Sequence, residues 1–366
     1  MYSEQLKYYI ALTFIPGVGD IIAKNLIAYI GSAEGIFKEK KQNLLKIPKI
    51  GETLAECITS SETIKRAETE LLFIEKNNIK AFAYTDDNYP TRLKLCDDSP
   101  VVLYIKGNCN INAPKSIAIV GTRNATAYGK DICKQLIEDL KPHNCIIVSG
   151  LAYGIDICAH KLALDNNLET LGIMGHALDT MYPADHKAYA KMIAEHGALI
   201  TEHPSKTPID KSNFVKRNRI IAGLSDATIV IESGEKGGAL ITTEYANAYN
   251  RDVFAIPGRT SDKYSIGCNN LIRTNKAALV TSVKDIEYLL NWQNSSSKKV
   301  IQKSLFVDLS PDDELIMKIL EKEQDVNIDI ICTRSNLQMN KVSAILLNLE
   351  FNGLVKTMPG KRFCLA

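Results

Sequence analysis

Ile117-Ala118-Ile119-Val120-Gly121-Thr122-Arg123-Asn124 decides the fold. Four apolar residues without polar alternation describe a strand buried on both faces, and the glycine that follows ends it. Thr126, Tyr128 and Gly129 then lead into a helical pattern. The same grammar recurs at residues 145–148, 170–174, 198–201, 228–231, 252–256 and 278–281, with intervals that suit crossover helices. The expected fold class is therefore α/β, an extended Rossmann-like parallel sheet with helices on both faces. In such sheets ligands bind beyond the carboxyl ends of the strands, so the loops after each run are where function is sought.

Composition agrees with this reading and excludes others. Of 366 residues 45% are hydrophobic and 23% charged, which is ordinary for a globular protein and too apolar for a disordered chain. The apolar runs are strand-sized, short of the ~18 to 20 residues of a membrane span, so no transmembrane helix is expected. Glu4 and Lys7 precede Tyr8 with no small-residue cleavage site, so no signal peptide is expected and the location is read as cytoplasmic. The nine cysteines lack C-x-x-C spacing and several lie in apolar runs, as reduced thiols do. Histidines are scattered without ligand spacing, so no metal is expected. Net charge is only +2, so the distribution of charge must carry any nucleic-acid argument.

Flanking the core are two smaller units. Residues 1–68 contain a near-repeat, Ile15-Pro16-Gly17-Val18-Gly19 and Ile47-Pro48-Lys49-Ile50-Gly51, each placed before an apolar-periodic helix. This is the form of a helix-hairpin-helix, whose glycines let helix-start N–H groups approach a phosphate; a small helical packing module is the other reading. The core is expected over 69–292 and a polar linker over 293–303. Residues 304–366 read as three helices and a hairpin, a winged-helix pattern. Nine acidic against seven basic residues there favour a protein-contact or regulatory role over groove reading of duplex DNA.

The crevice loops are rich in phosphate chemistry. Gly121 and Thr122 offer backbone N–H groups and Arg123 a forked cation, while G-x-G-x-x-G is absent and no dinucleotide or other cofactor is expected. Ser149 and Gly150 open the loop after the second run, with Asp156 and His160 following. A Ser-His-Asp hydrolase is disfavoured because no G-x-S-x-G elbow surrounds Ser149. Asp156 is read as bracing a helix start, and His160 as orienting neighbouring loops, the one around Asp179 among them. Residues 206–219 carry Lys206, Lys211, Lys216, Arg217 and Arg219 against Asp210 alone, with Phe214 and Asn218 interleaved. Cations with an aromatic ring and an amide suit unpaired nucleic acid, the charges tracking the backbone and the ring stacking a base. Lys236, Gly237 and Gly238 open a further helix as an anion-accepting N-terminus.

These residues resemble a known family. The runs Ile119-Val120-Gly121-Thr122-Arg123, Ser149-Gly150-Leu151-Ala152-Tyr153-Gly154-Ile155-Asp156, Leu178-Asp179 with Tyr182-Pro183, Arg217-Asn218-Arg219-Ile220-Ile221-Ala222-Gly223-Leu224-Ser225 and Val253-Phe254-Ala255-Ile256-Pro257-Gly258 are similar to those of the DprA (DNA-processing protein A, Smf) family of natural transformation. The resemblance implies a non-catalytic protein that binds incoming single-stranded DNA, protects it and loads the RecA recombinase, as a homodimer through the Rossmann core. It implies DNA contacts at Arg123, Lys211, Phe214, Arg217 and Asn218. His186 and Asn275-Lys276-Ala277 stand where the family often has Asn and Gly-Ala. The alternative function is a phosphoribohydrolase-like enzyme on a related Rossmann fold, suggested by Gly237-Gly238 with Glu244; the spacing differs, with Leu240-Ile241 intervening.

Overall fold

The computed structural model describes residues 5–60, 62–292, 309–323 and 325–365. The linker expected over 293–303 lies outside the described residues. The core sheet has nine strands: β1 (Lys80–Ala83), β2 (Val102–Gly107), β3 (Ser116–Val120), β4 (Ile146–Gly150), β5 (Thr170–Ile173), β6 (Gly197–Thr201), β7 (Ala227–Val230), β8 (Asp252–Ala255) and β9 (Ala278–Leu279). Their order is β1-β2-β6-β5-β4-β3-β7-β8-β9. From β6 to β9 every pairing is parallel, and β3, β4, β5, β6 and β7 are buried along their whole length, as unalternating apolar runs require. Successive side chains feed opposite faces. Ala118, Val120 and Val148 pack under the helices Asn218–Gly223 and Gly238–Ala248, while Ile117, Ile119 and Ile147 pack under Ala127–Leu140 and Ile155–Asp165.

Two features differ from the sequence expectation. The sheet is not wholly parallel, because β1 pairs antiparallel with β2 and β2 with β6. The boundary expected at 68 falls inside the helix Thr63–Lys76. The helical module continues to that helix's end and buries Leu6, Ile10, Leu26, Ile58 and Ile74 in one cluster with Ala81, Val102 and Tyr104 of β1 and β2. The module is thus packed onto the antiparallel edge of the sheet. Its near-repeat is real in three dimensions: Gly17 has φ 82° and Lys49 φ 69°, and Val18 and Ile50 donate to Ile15 and Ile47 in equivalent turns. The second copy keeps the turn geometry without the glycine that makes it easy.

The tail has the helices Pro311–Lys322, Ile328–Ser335 and Met339–Phe351, and a small sheet of β10 (Val326–Asn327), β11 (Val355–Met358) and β12 (Arg362–Leu365) in the order β10-β12-β11. Arg362 of the wing pairs with Asp325 at 2.9 Å and reaches Asp226 of the core at 3.5 Å. Asp226 immediately precedes β7, so the wing meets the amino ends of the parallel strands, the side opposite the crevice.

Candidate nucleic-acid interface

The strand order reverses direction at β3, whose neighbours are β4 on one side and β7 on the other. Loops after these three strands diverge around one crevice, the standard ligand position in an open parallel sheet. A groove of about 1480 Å³ opens there. That exceeds the ~300–1,000 Å³ of small-molecule sites and suits a polymer better than a mononucleotide.

The first wall is the loop after β3. Gly121 is a glycine because a Cβ there would stand 2.5 Å from Ile155 Cγ1. Thr122 donates its N–H to the Glu232 carbonyl at 2.8 Å and accepts from Ile155 N–H at 3.2 Å. The N–H expected to be open to phosphate is therefore already used, and the helix starts later, at Ala127, with Thr126 as its cap. Glu232 fixes this loop, accepting from Thr126 N–H at 2.9 Å and Thr126 Oγ1 at 2.5 Å. The exposed Arg123 side chain is what the loop presents to the groove.

The floor comes from β4 and the helix after it. Ser149 and Gly150, expected at the DNA surface, lie beneath it. Ser149 is fully buried and donates to the Ile119 carbonyl at 2.6 Å. Gly150 leaves room for the Arg217 guanidinium, since a Cβ would meet Arg217 Nη1 at 2.2 Å and Asp156 Oδ2 at 2.5 Å. Arg217 is only 4% exposed, donates to the Ile173 carbonyl, faces Asp156 and still borders the groove; its Nε has no hydrogen-bond partner among the described residues. Burial pushes Asp156 up to about 6, with Arg217 pulling it back down. His160 is held by Thr170 Oγ1 at 2.7 Å and the Gly150 carbonyl at 2.9 Å, and burial lowers it to about 4. It braces β4 against β5 rather than orienting the Asp179 loop. That role belongs to His176, which bonds the Ala177 carbonyl and the Tyr182 backbone. Ser149 and His160 are thus committed elsewhere and form no nucleophile–base pair.

The second wall is the bent pair of helices Lys211–Lys216 and Asn218–Gly223, opened by Asp210, whose carboxylate accepts from Ser212 N–H at 2.6 Å. Lys211 is exposed and lines the groove. The Phe214 ring leans on Gly175, where a Cβ would come within 2.9 Å, and lies 5.5 Å from the Tyr182 ring and 6.1 Å from His176. Tyr153, Tyr182, Phe214 and Arg123 border a smaller adjoining hollow. Lys216 is exposed but does not line the groove. Arg219 departs from the expected basic patch: it turns inward, ion-paired with Glu202 and with Asp20 at 3.0 Å. Two carboxylates neutralise it, and it has no free charge to offer a phosphate.

The third wall is the helix Gly238–Ala248 after β7. Asn218 is buried, and its Nδ2 donates to the Gly238 carbonyl at 3.1 Å, anchoring the helix start beside Lys236 and Gly237. Ten of the fourteen expected residues, namely Gly121, Thr122, Arg123, Lys211, Phe214, Arg217, Asn218, Lys236, Gly237 and Gly238, border one groove. Sequence reasoning missed Ile209, Lys263 and Tyr264, which also line it. Ile209 lies in the long loop after β6 and Lys263 and Tyr264 in the loop after β8, so the strand rule pointed to both loops, and the adjacent cation and ring of Lys263-Tyr264 were a readable signal; Ile209 carries none of its own. Five cations (Arg123, Lys211, Arg217, Lys236, Lys263) face three acids (Asp156, Glu235, Glu244) among the lining residues. The groove is cationic although the chain as a whole is nearly neutral.

In the tail, Lys341 on the third helix pairs with Asp312 at 2.5 Å and Arg334 on the second with Glu323 at 2.7 Å. The exposed large side chains of the third helix include Leu347 and Phe351.

Sheet order, crevice and wing define an extended Rossmann protein with a cationic cleft at its switch point and a winged-helix tail. Residues 80–291 match the family model of DNA recombination-mediator protein A, and 307–361 match that of the DprA winged helix domain. The chain belongs to the DNA recombination-mediator protein A (DprA) family. Protein Smf of Synechocystis is 30% identical over 395 residues, covering 99% of each chain. The X-ray structure of DNA processing protein A from Streptococcus pneumoniae matches with 31% identity and a TM-score of 0.67, covering 78% of this chain and 98% of its own. DNA processing protein A from Helicobacter pylori, whose structure is described for its single-stranded DNA binding mode, matches with 28% identity and a TM-score of 0.53, covering 59% and 97%. Among the described residues no helix is long and apolar enough to cross a membrane.

Proposed function

We propose that this recombination mediator binds single-stranded DNA along the groove between Arg123, Lys211, Phe214, Arg217 and Lys236. It shields the strand and passes it to the RecA recombinase in the cytoplasm, with no chemical step of its own. The observation that carries the reading is the convergence of an exposed arginine, an aromatic ring, lysines and a glycine-opened helix start on one long groove. Cations neutralise successive phosphates while the ring takes an unstacked base, an arrangement that a paired duplex cannot use. The binding mode described for the Helicobacter pylori relative supports it.

A homodimer through the Rossmann core is part of the proposal. The terminal strand β9 is exposed on the sheet edge, and Leu279, Tyr288 and Leu289 leave apolar surface near it. Association there would cover an unpaired edge. A phosphoribohydrolase-like activity is the competing possibility, since Glu244 and Gly238 share the groove. Incubation with AMP-type nucleotides tests it, and released free base would overturn the non-catalytic reading. For the main proposal, the test is a gel shift of single-stranded against duplex DNA at two salt concentrations. Tighter single-strand binding that weakens with salt is expected, and equal or salt-independent binding overturns it.

A further inference from the structure

The segment that carries Lys211, Phe214 and Arg217 leaves the sheet at β6 and returns to it only through the helix Asn218–Gly223. Its position is fixed from outside the sheet, at both ends, by the N-terminal helical module. At the first end, Ser205 is buried and donates its N–H to Glu70 Oε1 at 2.8 Å and its hydroxyl to Glu70 Oε2 at 2.5 Å. Glu70 is 1% exposed and lies on the module's helix Thr63–Lys76. Arg66, one turn earlier, donates to Glu70 Oε2 at 2.9 Å and to the Ser205 carbonyl at 2.5 Å, with its guanidinium 4.6 Å from the centre of the Phe14 ring. At the other end, Arg219 donates to the Asp98 carbonyl at 2.6 Å, to Glu202 and to Asp20, and Asp20 stands in the first turn of the module's helix Asp20–Ile30. The other Asp20 oxygen accepts from Val101 N–H at 2.8 Å.

Each clamp is an ion pair built around one buried group, Glu70 in the first and Arg219 in the second, with a half-buried partner, and ion pairs drawn out of water are a poor way to gain stability. Desolvation offsets much of their attraction, and apolar residues of the same volume do as well or better. What directional, fully satisfied charges supply is a fixed geometry. Here they join the module to the one segment that brings the aromatic ring and Lys211 to the groove.

We propose that Glu70 and Arg219 are positioning residues for single-strand binding, through which the N-terminal module sets the placement of the Lys211–Arg217 segment. This rests on the groove reading above. Its consequence is that the module contributes to DNA affinity without touching DNA.

The experiment uses the full chain, an oligothymidylate carrying one 2-aminopurine, and the variants Glu70→Ala, Glu70→Gln and Ser205→Ala. Dissociation constants, 2-aminopurine fluorescence at saturating protein and thermal melting are read in parallel. Glu70→Ala is expected to raise Kd by about tenfold, the effect of losing charged hydrogen bonds, and to change the saturated fluorescence because the ring no longer meets the base in the same pose. Glu70→Gln keeps an acceptor for Ser205 N–H and should lie between wild type and Ala. Ser205→Ala removes one hydroxyl from the clamp, serves if Glu70→Ala does not fold, and should raise Kd by roughly threefold. A lower melting temperature with Kd and saturated fluorescence unchanged overturns the positioning role, because a merely structural residue behaves that way once the protein is folded and saturated. Failure of the wild-type chain to bind the oligonucleotide, or a fluorescence signal untouched by Phe214→Ala, overturns the groove reading and this proposal with it.

Discussion

Phe214→Ala and Arg123→Ala should weaken single-strand binding in ways that a salt titration separates. A base stacked on an aromatic side chain contributes about 1–3 kcal/mol. The Phe214 ring is half-buried and one side already leans on Gly175, so the lower half of that range applies. That gives a loss of roughly five- to thirtyfold in affinity. No charge is removed, so the slope of log Kd against log salt should stay as in wild type. Arg123 is exposed, and among the described residues it makes no ion pair or hydrogen bond to the protein, so its charge is available to a phosphate. Its replacement should cost about tenfold and reduce the slope by about 0.7, the counterion share of one phosphate on a single strand. Fluorescence anisotropy with an oligothymidylate over a series of salt concentrations measures both quantities. The groove assignment is refuted if Arg123→Ala leaves affinity and slope unchanged, or if Phe214→Ala changes the slope and not the affinity.

Three further outcomes follow from the groove geometry. Gly150→Ala places a methyl group 2.2 Å from Arg217 Nη1, and since that guanidinium is buried and bonded to Ile173 the overpacking should cost about 1–3 kcal/mol; an unchanged melting temperature would contradict this. Burial raises Asp156 to about 6 from its ordinary 3.8, so its contribution to stability is fully present below pH 3.8 and is lost as pH rises through 6. Protonation also frees Arg217 from its counter-charge, so DNA affinity should rise from pH 7 to pH 5, and Asp156→Asn should remove most of that rise; a variant with the wild-type pH profile would reject the linkage. Arg219→Met removes the cation bonded to Glu202 and Asp20, leaving them only the unbonded charges of Lys216 and Lys24, and should cost about 3–5 kcal/mol in melting experiments. Its salt slope should match wild type, whereas a phosphate-contacting arginine would lower the slope.

Periodicity along the chain was enough for the parallel strands, the glycine-punctuated loops beyond them and the winged tail, because each leaves a local record. A strand buried on both faces must be apolar at successive residues, and a helix start near an anion must be small and cationic. Strand β2, at six residues the longest among the described strands, carries an apolar run of the same kind, Val102 to Ile105, but nothing local in it or in β1 records that they pair antiparallel under the helical module. The direction in which charged side chains turn left no local record at all. Arg217, Arg219 and Lys211 look alike in sequence, yet one sits over Gly150, one is neutralised by Glu202 and Asp20, and one is free. The Arg219–Asp20 bond joins residues 199 positions apart and the Ser205–Glu70 bond residues 135 apart. Sequence determined which residues could hold a phosphate or a base. Tertiary structure decided which of them are free to do so, because a charge is available only when packing leaves it without a buried partner, and that depends on segments far along the chain.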